Sequence, residues 1–164
     1  MTAIRTIAWD VDGVFVDFNK GVKTLTGFES EQMRSDKSIR NKVWREINRR
    51  PYEFWSQLEL IEDAMEMYDL TKHIDHFFLT GLPGDSVGLG KKGKEDRLQE
   101  LFPVTLEQIK VVKRKDKALF AESHILLIDD TKENCEWWIE AGGQAIFHKT
   151  VEDTKKQLKI LLGV

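Results

Sequence analysis

Two short apolar runs, each ending in paired acids, constrain this chain more than anything else in it. Ile4-Arg5-Thr6-Ile7-Ala8-Trp9 runs straight into Asp10-Val11-Asp12-Gly13-Val14, and Ile125-Leu126-Leu127-Ile128 runs into Asp129-Asp130. A strand that is apolar at successive positions has no face for water and must be covered on both sides. Three shorter runs read the same way: His76-Phe77-Phe78-Leu79, which leads into Thr80-Gly81, then Ile109-Lys110-Val111-Val112, and Ala145-Ile146-Phe147. Between them, apolar residues recur at helical spacing, as in Leu60, Ile61, Ala64, Met65 and Tyr68, or Leu158, Leu161 and Leu162. Strands that alternate with helices imply βαβ units, hence an α/β fold with a doubly wound, Rossmann-like parallel sheet.

One stretch breaks the alternation. Residues 18–57 hold no strand pattern; they are polar, helix-compatible and punctuated by Phe28, Trp44, Tyr52, Phe54 and Trp55. They read as a small helical cap inserted after the first strand, with residues 1–17 and 58–164 forming the core domain. Residues 81–93 contain five glycines and read as a mobile loop.

Composition excludes some functions. A net charge of −3 gives no general attraction to nucleic acid or to a membrane surface. The single cysteine, Cys135, cannot close an internal disulfide, and no apolar run approaches the roughly 20 residues that span a bilayer. With no leader-like start either, the expected location is the cytoplasm.

In open parallel sheets, ligands bind beyond the carboxyl ends of the strands, so acids at strand tips border a site. Asp10 and Asp12, one residue apart, can divide two tasks: one attacks phosphorus, the other gives and takes a proton. Asp129 can complete a magnesium site with them, since this ion keeps several waters and needs few carboxylates. Thr80 and Gly81 offer a hydroxyl and backbone N–H groups to phosphate oxygens, and Lys115 or Lys117 offers a balancing ammonium. The plainer alternative is that these acids only cap the helices that follow. A calcium loop starting at Asp10 is disfavoured, because its twelfth position is Gly21 rather than Glu. Gly88-Leu89-Gly90-Lys91-Lys92-Gly93-Lys94 nearly spells a nucleotide-binding loop, but Glu95 stands where Ser or Thr is required. His73 and His76 lack a third metal ligand, and Cys135 reads as a buried residue.

Asp10-Val11-Asp12-Gly13-Val14, then Thr80, a lysine, and Ile128-Asp129-Asp130, in this order, resemble the motifs of the haloacid-dehalogenase-like phosphatases. Within that superfamily, the segments from Asp10 to Phe18 and from Phe54 to Glu59 are most similar to the 5′(3′)-deoxyribonucleotidase branch. The resemblance implies an aspartyl phosphate on Asp10 with Asp12 as acid and base. It implies magnesium held by the Asp10 side chain, the Asp12 backbone carbonyl and Asp129. Thr80, Gly81 and Lys117 would hold phosphate oxygens, with Lys115 as the alternative lysine, and Phe18, Phe54 and Trp55 would meet the substrate. The implied substrate is a nucleoside monophosphate. A polynucleotide end or a sugar phosphate on the same core, or a non-catalytic binding module, are the alternatives. Monomer and homodimer both stay open.

Overall fold

The computed structural model describes residues 2–83 and 87–163. All five expected runs are strands: β1 (Thr6–Trp9), β2 (Asp75–Gly81), β3 (Ile109–Val112), β4 (Ile125–Asp129) and β5 (Gln144–Phe147). They form one parallel sheet in the order β3-β2-β1-β4-β5. The central strand β1 sends Ile7 and Trp9 into a large core with Phe78, Leu126 and Ile128, and Ala8 into a smaller one with Leu79, Leu127 and Trp138. Burial on both faces is the physical reason that these strands lack an alternating polar pattern.

Eight helices surround the sheet among the described residues. The 18–57 stretch is helical, as its pattern implies, with α1 (Phe18–Thr26), α2 (Gln32–Ser35), α3 (Lys37–Arg49) and α4 (Pro51–Ser56). Then come α5 (Ala64–Thr71), α6 (Val87–Leu101), α7 (Lys132–Glu140) and α8 (Val151–Leu162). The chain leaves and rejoins the core at one place: Asp17 N–H donates to Glu59 O at 2.8 Å, and Ile61 N–H to Phe15 O at 2.8 Å. Asp17 also starts α1, its side chain accepting from Lys20 N–H at 2.9 Å.

The glycine-rich stretch differs from expectation. Residues 84–86 lie outside the described residues, but from Val87 onward the chain is helical, so Gly88, Gly90 and Gly93 belong to α6 rather than to a loop. The reason is close packing on α4. A Cβ on Gly93 would sit 2.7 Å from Tyr52 O and 3.1 Å from Trp55 Cβ, and one on Gly90 would sit 3.2 Å from Trp55 Cδ1. Each glycine costs a helix about 1 kcal/mol against alanine; here that cost is offset by contact that no larger residue permits. Tyr52 fastens the same interface, its hydroxyl donating to Asp96 Oδ2 at 2.8 Å.

Candidate functional site

Sheet register brings the acids together. Trp9 lies beside Ile128 on β4 and beside Phe78 on β2, so the next residues, Asp10 and Asp129, emerge as neighbours at the same edge. Asp10 N–H donates to Ile128 O at 2.9 Å, which extends the ladder by one bond. The carboxylates of Asp10, Asp129 and Asp130 each place an oxygen within 4.8 Å of the others. Asp130, part of the paired-acid motif but given no role from sequence, joins the cluster. Its carboxylate lies against Gly13, where a Cβ would meet Asp130 Oδ2 at 2.0 Å. Gly13 also has φ of 80°, a conformation that suits glycine.

Lys117 bridges the first two acids, its Nζ donating to Asp10 Oδ1 and to Asp129 Oδ2 at 2.7 Å each. It lies in a 3-10 turn (Arg114–Phe120) and is 4% exposed, whereas Lys115 is on the surface. Of the two lysines considered from sequence, Lys117 is the one that reaches the carboxylates. Asp129 is held further by Asn134 Nδ2, at 3.1 and 3.0 Å from its two oxygens, and by Thr131 N–H at 2.8 Å. Arg114 Nε in turn donates to Asn134 Oδ1 at 2.8 Å.

A second buried lysine is Lys94 on α6, the last residue of the segment that nearly spells a nucleotide-binding loop. Its Nζ donates to Asp12 Oδ2 at 2.6 Å, to Thr80 Oγ1 at 3.0 Å and to Gly81 O at 3.0 Å. Asp12 and Thr80 are therefore joined through one ammonium. The available signal was the Gly90–Gly93 spacing, which puts both glycines on one helix face and marks a helix packed closely enough to carry a side chain inward.

Electrostatics at this edge are dominated by crowded carboxylates. Burial raises Asp10 well above the usual carboxylate range, Asp129 raises it further, and Lys117 opposes them. Asp130 is exposed as a residue, but partial loss of water around its carboxyl, with Asp129 and Asp12 nearby, lifts it to about 6. Burial pulls the Lys117 ammonium down, but Asp10 and Asp129 more than reverse this, so it ends above its ordinary value. Cys135 is buried with its Sγ 3.6 Å from Asp129 O, and burial pushes its thiol up to about 12, which leaves it inert as a nucleophile.

A raised carboxylate binds its proton more tightly in the folded protein than in the unfolded chain. The stability it contributes is full below the ordinary range near 4 and is lost as pH rises through about 6, the value for Asp130. The melting temperature of the protein in EDTA is therefore expected to fall from about pH 5 to about pH 7. A calorimetric series over that interval checks this, and a melting temperature that climbs instead would contradict the crowding.

A cavity of about 460 Å³ opens onto these groups. Asp10, Asp12, Lys117 and Asp130 line its floor, and Phe18, Trp44, Arg34 and Arg40 line it from the helical stretch. The three aromatics expected to meet a substrate are not placed alike. Phe18 reaches the cavity, Phe54 lines a different one, and Trp55 is 3% exposed inside the core. They pack on one another, with Phe18 and Trp55 stacked at 5.7 Å and Phe54 edge-on to Trp55 at 4.9 Å. Trp55 faces Lys94, whose Nζ is 4.2 Å from its ring centroid.

No protein-family model matches the sequence, and no curated protein matches it. Solved structures do match in shape. The HAD-hydrolase YfnB of Bacillus subtilis, bound to magnesium, superposes with a TM-score of 0.61 at 16% identity, over 99% of this chain and 100% of that one. A hydrolase from Streptococcus pneumoniae gives 0.56 at 12% identity, over 99% and 100%. The L-2-haloacid dehalogenase of Xanthobacter autotrophicus gives 0.54 at 9% identity, over 87% and 76%. Among the described residues, no helix is long and apolar enough to cross a membrane. The parallel sheet, its helices and these superpositions give the chain the fold of the haloacid-dehalogenase-like hydrolases.

Proposed function

We propose that this protein is a magnesium-dependent phosphomonoester hydrolase acting on a small molecule, with a nucleoside monophosphate as the favoured substrate. The observation that carries the reading is the convergence of Asp10, Asp129 and Asp130 within 4.8 Å, under a cavity large enough for a metabolite. The residues present suit a divalent cation. Four carboxylates, counting Asp12, meet two buried lysines, and Asp12 Oδ1 is buried with no partner among the described residues. Asp10, Asp129 and the Asp12 carbonyl are the proposed ligands, with Asp130 beside them. When bound, magnesium would offset charge on the transferring phosphoryl group.

The protein's own groups divide the remaining work. Asp10 attacks phosphorus in line, forming the Oδ–P bond of an aspartyl phosphate as the ester P–O bond breaks. Asp12 delivers a proton to the departing oxygen, then takes one from the water that cleaves the acyl phosphate, returning Asp10 as carboxylate and releasing inorganic phosphate. Lys117, the Thr80 hydroxyl and the Gly81 N–H are proposed to steady phosphoryl oxygens. Residues 18–57 act as a cap in this reading: they exclude water and select the substrate. Phe18 and Trp44, both lining the cavity, offer ring faces to a base at about 1–3 kcal/mol per stacked base. Arg34 and Arg40 favour an anionic ligand in the same space.

A panel of phosphate esters tests the proposal. Phosphate release from nucleoside monophosphates is expected, dependent on magnesium and abolished by EDTA. Equal turnover of sugar phosphates would remove the nucleotide preference, and preference for a 5′-phosphorylated oligonucleotide would favour the polynucleotide reading. Halide release from a 2-haloacid with no phosphatase activity would reject the phosphatase assignment.

A further inference from the structure

We infer that Lys94 is a positioning residue that holds the Asp12 carboxyl and the Thr80 hydroxyl in their working orientations; the inference rests on the phosphatase reading above. An ammonium has three N–H donors. All three of Lys94 are committed within the protein, to Asp12 Oδ2 at 2.6 Å, Thr80 Oγ1 at 3.0 Å and Gly81 O at 3.0 Å. None remains for a substrate oxygen, which separates Lys94 from a simple anion-binding lysine.

The consequence falls on its partners. With Oδ2 anchored to Lys94, Asp12 is left with Oδ1, which is buried and has no hydrogen-bond partner among the described residues. Asp12 lines the cavity that also exposes Asp10, so the Lys94 anchor sets how its carboxyl is presented there. Thr80 is oriented by the same ammonium. Because Thr80 Oγ1 accepts from Lys94, its own O–H is directed to another acceptor, such as a phosphoryl oxygen.

The fold holds Lys94 in place from behind. It is 4% exposed, and its Nζ lies 4.2 Å from the Trp55 ring centroid. Trp55 is itself wedged against Gly90 and Gly93 of α6. The tight contact between α4 and α6 thus sets the position of a group at the reaction centre.

The role is read from how the loss depends on the leaving group. An alkyl phosphate needs a proton on its departing oxygen, whereas p-nitrophenyl phosphate releases a stable anion and does not. Leaving-group release is measured in a single turnover with magnesium, which isolates the first step. Lys94→Met is expected to slow the alkyl ester about 10²–10⁴-fold, the range lost with a general acid, and the nitrophenyl ester less than about tenfold. Substrate KM should change little for either. Asp12→Asn should show the same selectivity, and adding Lys94→Met to it should cost little more, because the two act as one unit. If Lys94→Met does not fold, Lys94→Arg keeps the charge but not the three-point geometry and should show the same selective loss. Equal slowing of both esters, or a raised KM at unchanged kcat, overturns the inference. A wild-type protein that hydrolyses neither ester overturns the phosphatase reading, and this inference with it.

Discussion

Asp10→Asn is expected to lower magnesium-dependent phosphate release by a factor of about 10⁴ or more, while the metal-free protein melts no lower than the parent. The two effects share one cause. Asp10 is 5% exposed, and burial together with Asp129 holds its carboxyl well above the usual range. Keeping it ionised at neutral pH is therefore a cost to the folded state. Asparagine is nearly isosteric, and its amide oxygen can still accept from Lys117, which also keeps its second partner Asp129. The substitution removes a poorly solvated charge without orphaning the lysine. What it removes is the proposed nucleophile, because an amide cannot form the acyl phosphate. Loss of activity with retained stability is the pattern of a residue selected for chemistry at the expense of the fold. Turnover and calorimetry in EDTA, run on the same preparation, check both halves. Unchanged turnover would reject Asp10 as the attacking group, and a large fall in melting temperature would show that the charge is structurally required.

The parts of this site that were legible in the sequence are those that local pattern determines. An apolar run that ends in an acid is a strand with a carboxylate at its tip, which found Asp10 and Asp129. Parallel register then made them neighbours through the pairing of Trp9 with Ile128. Asp130 was harder to assign. It follows the last residue of β4, and its carboxylate folds back over Gly13, a contact that depends on how the turn after β1 is shaped. Lys94 was hidden for a different reason. Its meaning comes from helix packing, and its neighbouring glycines resemble a loop until α4 is seen pressed against them. Trp55 shows the converse. Aromatics in a short helical stretch suggest ligand contact, but whether a ring meets a ligand or the core depends on helix phase against a partner the sequence does not identify. Phe18 faces the cavity; Trp55, stacked on it, lies behind.

Lys117→Met is expected to be the most damaging single change to stability, at about 3–5 kcal/mol, the usual result of removing one member of a buried ion pair. For a chain of this size that corresponds to a fall of roughly 6–20 °C in melting temperature. The loss does not measure the value of the salt bridges, since forming them already required three groups to leave water. It measures what remains: Asp10 and Asp129, both buried and facing each other with the bridging cation gone. The sign of the pH dependence follows. Without Lys117, which opposes the effect of burial on Asp10, that carboxyl is displaced further upward, so the folded variant gains a proton relative to its unfolded chain. Its stability deficit should then shrink at low pH, where Asp10 can be neutral, and widen as pH rises through the range where it must ionise. Urea unfolding in EDTA at about pH 5 and about pH 8 reads this directly. Adding Asp129→Asn to Lys117→Met should recover part of the loss, because it removes one of the two opposed charges. A deficit that is the same at both pH values, and unrelieved by the second substitution, would mean that Lys117 acts through packing of its hydrocarbon stem rather than through its charge.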